Sequence, residues 1–251
     1  MADCSAWGRR RAAQLPQSFW QLWPFLNRGY FQGVPSQVIH NASLIAGNSA
    51  ETATPNPEGI VRFGYMGTLA ENKGVGWLIE QFQRLSLNAT LTIAGEGQLD
   101  YEAQLKAMAD PQRVSFVGYQ KPEAFYQNID VFVAPSLWAE PFGMVAVEAC
   151  AYRKPVIASR MGGLPEIVRD GVNGLLCNPE DRDSLGRALQ RLHDDAELRQ
   201  RLSLLSRTAV ADLLSMDTML DQYQALFEEV LGKAQRGTVR QLHVPHTQLS
   251  N

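Results

Sequence analysis

The sequence predicts an α/β fold, a Rossmann-like parallel sheet with helices on both faces. Short β-rich runs alternate with longer helical patterns from residue 59 to about 233. Several of the runs are continuously apolar, as strands covered on both faces require. Glycines recur directly after successive runs, where a doubly wound sheet places its ligand-facing loops.

The strands follow from those runs: Val61 to Met66, Thr90 to Ala94, Val114 to Val117, Val131 to Ala134, Val156 to Ala158 and a short final strand at Gly174 to Cys177. Helical periodicity fills the intervals, at Val75 to Arg84, Leu99 to Ala109, Met144 to Tyr152, Ser184 to Leu192 and Met219 to Leu231. Right-handed crossovers between parallel strands put the loops after the strands along one sheet edge. Gly67, Gly74, Gly95, Gly97 and Gly118 all fall there, and glycine admits close backbone approach to a ligand.

Domain organisation reads as three parts. Residues 1–58 lack the strand-helix alternation and hold an aromatic patch from Phe19 to Phe31, then a linker-like stretch from Gly47 to Glu58. Residues 59–233 form the organised domain, and residues 234–251 a tail without helical pattern, expected to be loose or ordered against a partner. A formal charge of -3 and a pI near 5.8 give no general attraction to nucleic acid or anionic lipid. The three cysteines, Cys4, Cys150 and Cys177, are odd in number and favour reduced thiols in a cytosolic compartment over a disulfide scaffold. No apolar run approaches the roughly 18 residues of a membrane span.

Three loops carry candidate chemistry. Gly67 to Gly74 ends in Lys73-Gly74 before a helix, so a lysine and unpaired helix N–H groups could clamp a diphosphate. It lacks Walker A spacing, and taken alone it also fits an exposed turn with a surface lysine. Gly95-Glu96-Gly97 is not a dinucleotide fingerprint, because Asp100 stands where the third glycine belongs. In Ser136-Leu137-Trp138-Ala139-Glu140-Pro141-Phe142-Gly143, Pro141 interrupts regular structure and Gly143 turns the chain into the next helix. Glu140 then lies in the edge loop and Glu148 down the helix, where each could accept hydrogen bonds from vicinal hydroxyls. A surface cap and a solvent-facing helical residue read the same two carboxylates differently. Asp181-Arg182-Asp183 is explained as acidic residues at a helix start, and the four histidines form no zinc pattern, so no metal is expected.

The wording around these residues resembles the donor-binding, carboxyl-terminal half of the retaining glycosyltransferases of family four, a GT-B fold. That family's mark is two glutamates with seven residues between them, and Glu140 and Glu148 fit it. Pro141-Phe142-Gly143, Glu148-Ala149, Gly162 to Val168 and Gly171 to Leu176 extend the resemblance over roughly residues 59–233. The resemblance implies that Glu140 is the catalytic-centre residue, touching donor-sugar hydroxyls and setting geometry, and that Glu148 holds the ribose. It implies that Lys73 with Gly67 approaches the diphosphate, that Gly143 and Met144 offer backbone contacts, and that Gly118 and Tyr119 line the base site. Thr68 departs from the pattern, since the family often has arginine there. Threonine keeps a hydrogen bond but loses the charged fork.

The resemblance further implies transfer with retention from a nucleotide-sugar donor, which is a substrate rather than a cofactor, to a sugar or lipid-linked acceptor. Attack is expected from the leaving-group side, with no covalent glycosyl-Glu140 species. A complete GT-B enzyme has a second sheet domain for the acceptor, and 58 preceding residues are too few to build one. Ser36 to Asn41 resembles the segment just before the interdomain linker, and His40 does not match the family's catalytic histidine. The chain is therefore expected to supply the donor half to a missing domain or partner chain, in the cytoplasm or peripherally at a membrane. A non-enzymatic nucleotide-sugar-binding module and a GT-B-like nucleotide-sugar epimerase remain the alternatives.

Overall fold

The computed structural model describes residues 37–43 and 59–235. Six parallel strands, β1 (Val61–Met66), β2 (Ala89–Ala94), β3 (Val114–Phe116), β4 (Val131–Ala134), β5 (Val156–Ser159) and β6 (Gly174–Cys177), make one sheet in the order β3-β2-β1-β4-β5-β6. The chain winds outward from β1 through β2 to β3, then returns to lay β4 against the other side of β1. It winds outward again through β5 to β6. The strand order reverses between β1 and β4, which is where a doubly wound sheet opens a crevice beyond its carboxyl ends.

The apolar runs work as the sequence suggested, because the pleat of each strand feeds two cores. Val131 and Val133 of β4 and Ile157 of β5 join one cluster with Phe63, Leu78 and Leu189. Their neighbours Phe132, Ala134, Val156 and Ala158 join the other with Tyr126, Val147 and Leu164. Every residue of β4 and β5 is buried. Adjacent side chains alternate faces in a strand, so a sheet covered on both sides selects apolar residues at every position.

The covering helices are α1 (Val75–Gln83), α2 (Leu99–Met108), α3 (Pro122–Gln127), α4 (Met144–Ala151), α5 (Leu164–Ile167), α6 (Ser184–Asp194), α7 (Ala196–Ala209) and α8 (Met216–Gln235). Helical periodicity did not single out α3, α5 or α7. The first two are one to two turns long and start with proline at a helix N-terminus, too short for a periodic signal. In α7 only Leu198, Leu202 and Ser206 are buried, a narrow stripe on a polar helix, and Asp195 caps it by accepting from Leu198 N at 2.8 Å. Helix α8 begins before the expected Met219 and runs through Gly232 to Gln235. The aromatic patch Phe19 to Phe31, the linker from Gly47 to Glu58, Cys4 and the tail beyond Gln235 lie outside the described residues.

Cys150 and Cys177 are free and buried, and burial pushes their thiols up to about 12 and about 11. At the amino-terminal end of the strands, Arg62 pairs with Asp130 at 2.7 Å. Lys154 lies beside them with 2% of its surface exposed. Burial lowers its ammonium to about 8, against the opposing pull of Asp130. No described helix is long and apolar enough to cross a membrane.

Candidate functional site

The two loops that flank the β1–β4 crevice are stitched to each other. The first, residues 67–74, closes in a single 3-10 turn, Glu71–Lys73, and enters α1 through Gly74. The second, residues 135–143, enters α4 through Gly143 at φ 105°. Leu137 N donates to Asn72 O at 2.8 Å. Gly74 sits at φ 73°, and a side-chain carbon there would lie 1.9 Å from Pro135 O. Only glycine fits a left-handed residue in such contact with backbone.

That stitching brings Lys73 and Glu140 together across 67 positions of sequence. Lys73 Nζ donates to Glu140 Oε1 at 2.6 Å, with the two side chains 27% and 12% exposed. Ser136 Oγ donates to the same oxygen at 2.8 Å. The ammonium also lies 5.1 Å from the centre of the Trp138 ring, over its face. From behind, Gly163 N donates to Glu140 O at 2.8 Å. Gly162, at φ 55°, allows this approach, since a side-chain carbon there would stand 2.2 Å from Glu140 O. The motif from Gly162 onward therefore holds the backbone of the glutamate loop.

Met144 and Glu148 follow on α4, the helix that Gly143 opens. Glu148 is half-buried. Burial raises its pKa, and the neighbouring Tyr126 hydroxyl partly offsets the rise. That hydroxyl donates to Val145 O at 2.9 Å, and Glu148 makes no ion pair among the described residues. A half-buried carboxylate without a cation is a strong acceptor for incoming hydroxyl donors.

Gly67 and Thr68 follow β1 directly. The Thr68 side chain faces solvent while its carbonyl accepts from the Tyr65 hydroxyl at 2.8 Å. Beyond β2 and β3 a second pair of loops meets, with Gly95 N donating to Gly118 O at 2.8 Å and Leu69 N to Glu96 O at 2.9 Å. They surround a cavity of about 330 Å3 that includes Leu69, Gly95, Gly97, Phe116 and Gly118 in its walls. Tyr119 is not among the residues lining it and is 74% exposed.

Ser136, Trp138 and His40 received no role from the sequence. Ser136 and Trp138 lie inside the stretch that drew attention, and their spacing from Glu140 in an irregular loop gives no periodic signal. His40 stacks on Phe142 with ring centres 5.2 Å apart and bonds Glu166 at 3.0 Å, pinning the segment 37–43 to the loops beside the site. Asp183 precedes α6 and Asp181 pairs with Arg187. No group of three His, Cys, Asp or Glu side chains able to hold a metal occurs among the described residues.

A parallel sheet with this strand order, its charged loops gathered at the switch point, is one Rossmann-like half of a GT-B fold. The family described as glycosyl transferases group 1 matches residues 61–195, more than half of the chain, and the chain belongs to that family. An uncharacterized glycosyltransferase of Methanocaldococcus jannaschii, MJ1607, is 31% identical over 179 residues, covering 67% of this chain and 46% of that protein. Among solved structures, sucrose-phosphate synthase from Thermosynechococcus elongatus superposes with a TM-score of 0.71 at 24% identity, over 86% of this chain and 57% of that one. Anabaena Alr3699/HepE, in complex with UDP and glucose, superposes at 0.63 and 24% identity, over 68% and 49%. The chain spans about half the length of these relatives.

Proposed function

We propose that this chain supplies the donor-binding half of a retaining glycosyltransferase that uses a nucleotide sugar. The observation that carries the reading is the meeting of Lys73 and Glu140 at the β1–β4 switch point. A cation and a hydroxyl-accepting carboxylate stand side by side there, as a sugar diphosphate needs. Lys73 would take the diphosphate oxygens, aided by the backbone of Gly67 and Thr68. Glu140 would accept from donor-sugar hydroxyls, with Gly143 and Met144 offering N–H groups at the start of α4. Glu148, half-buried and without a cation, would accept from the ribose. The cavity at Gly95, Gly97 and Gly118 would take the base, and its lining supports a base site beside Gly118.

In such a site, catalysis is stabilisation of the departing diphosphate and alignment of the acceptor hydroxyl. The acceptor oxygen forms its bond to the anomeric carbon on the side from which the diphosphate leaves, and its proton passes to the departing phosphate. Glu140 acts by hydrogen bonding and forms no bond to the sugar. Alr3699/HepE was crystallised with UDP and glucose, which supports a donor of this class here.

Binding of UDP-, GDP- and ADP-sugars tests the reading directly. Lys73→Ala and Glu148→Ala are each expected to weaken the preferred donor tenfold or more, by roughly 1.4 kcal/mol or above. Unchanged affinity and sugar selectivity in both would remove the site assignment. Retention is tested separately, by the anomeric configuration of product once an acceptor half is supplied.

A further inference from the structure

The structure shows Lys73 already occupied. Its ammonium is 2.6 Å from Glu140 Oε1, so any diphosphate that reaches Lys73 competes with a carboxylate from the same protein. We propose that Glu140 is a specificity-determining residue. As the internal counter-ion of Lys73, it discriminates against the bare nucleoside diphosphate in favour of the nucleotide sugar. This deepens the donor-site reading above and rests on it.

The carboxylate is fixed in this role from three sides. Ser136 Oγ holds the oxygen that faces Lys73, at 2.8 Å. Gly163 N holds the Glu140 carbonyl, and the close approach of Gly162 leaves the backbone no room to withdraw. The Glu140 side chain is only 12% exposed, so water cannot fully replace the ammonium once it is drawn away. A carboxylate left without its cation in such a place is costly.

The two ligands differ in what they return to Glu140. A nucleoside diphosphate takes the ammonium and brings more negative charge, and its ribose hydroxyls go to Glu148 rather than to Glu140. A nucleotide sugar takes the same ammonium but presents hydroxyl donors to the vacated carboxylate. The sugar therefore restores what the diphosphate removes, and the spent nucleoside diphosphate is expelled when its sugar is gone. The Trp138 indole N–H is buried and finds no acceptor among the described residues, although its ring carries the Lys73 charge. The polar groups of this loop are thus not all matched while the pair is closed.

A double-mutant cycle measured by calorimetry tests this. The probes are UDP, GDP and ADP, each beside its glucose conjugate, and the proteins are the parent chain, Glu140→Gln, Lys73→Met and the double variant. Glutamine keeps an acceptor for Ser136 while removing the charge. In the best-binding series, Glu140→Gln is expected to tighten the bare diphosphate by roughly fivefold or more. It should leave the glucose conjugate no tighter, and the gain should vanish in the Lys73→Met background. A gain that persists without Lys73 would mean only general repulsion, and a loss of diphosphate affinity would mean no competition. Either result overturns the proposal.

Glu140→Asp provides a second arm. It keeps the charge but draws it back by one methylene, so direct pairing predicts a Lys73-dependent gain and repulsion alone predicts none. The donor-site reading fails in a different way. None of the six ligands would bind the parent chain, or Lys73→Met would leave diphosphate affinity unchanged.

Discussion

Glu148 and Lys154 are both ionisable groups held where their charged forms are disfavoured, and each gives a stability test with a definite sign. Glu148 has its pKa raised by burial. Between the ordinary carboxylate range and that raised value the folded chain binds more protons than the unfolded one, so stability falls as pH rises through the window. Glu148→Gln is therefore expected to raise the melting temperature at neutral pH. The advantage should shrink as pH falls through the raised pKa and disappear below the ordinary range. Lys154 has the opposite sign. Its pKa is lowered to about 8, so between about 8 and its ordinary value the unfolded chain binds more protons and stability rises with pH. Lys154→Met should stabilise the protein at pH 7 by on the order of 2 kcal/mol, with the gain narrowing above pH 8. Thermal denaturation across pH measures the first and urea denaturation across pH the second. A uniform offset at every pH would mean that packing, not ionisation, governs the positions.

The same scale explains what the sequence could reveal of the site. Glu140 and Glu148 share one loop and helix, so their spacing was readable directly. Lys73 was a candidate only through its own loop, and nothing local connects it with Glu140. Their contact follows from β1 and β4 being sheet neighbours, a fact of winding rather than of local pattern. Ser136 carries no role in the sequence because a serine in a loop has no signature until its partner is placed.

At the scale of elements, the long apolar strands were legible because burial on both faces leaves no room for polar residues. The bounds of β1, β4 and β6 match the apolar runs, whereas α7, with its narrow buried stripe, is polar enough to read as loop. What periodicity cannot reveal is how two loops press against one another, and the glycines carry that information. Gly162 is the case that touches the glutamate loop, left-handed and against the Glu140 backbone. Gly162→Ala adds left-handed strain of about 1–2 kcal/mol and a backbone collision, so a total loss of at least about 2 kcal/mol is expected. Because the displaced segment is the Glu140 backbone, donor affinity should fall more than tenfold even under conditions where the variant is folded. Gly171→Ala is the control. It is also left-handed, at φ 75°, but nothing lies within 4 Å of the added carbon. Its cost should be limited to strain, with donor affinity kept. Equal losses of affinity in the two variants would detach the glycine motif from the site.

At the scale of the whole molecule, the sheet gathers the loops proposed to hold the donor at the edge where its strand order reverses. Phosphate, sugar and ribose groups all have candidate partners within residues 67–148, carried on one sheet with a buried core on each face. Donor binding should therefore survive in the isolated chain. Transfer asks for more, because it needs an acceptor hydroxyl held against the anomeric carbon, and orientation of that kind supplies much of the rate. His40 bonds Glu166 and stacks on Phe142, which ties it to holding the segment 37–43 against the loops. The chain also spans about half the length of its relatives, and in a GT-B enzyme the acceptor is positioned by the other half. Saturable binding of a nucleotide sugar is accordingly expected from the purified chain, with transfer to added sugar or lipid-linked acceptors near background. Supplying the complementary half should raise transfer by orders of magnitude while changing donor affinity little, because the proposed donor contacts all come from this chain. Release of nucleoside diphosphate and labelled acceptor product, measured in the same reaction, separate the two steps. Rapid transfer by the chain alone would mean that these loops also position the acceptor, and the division of labour between two halves would be wrong for this protein.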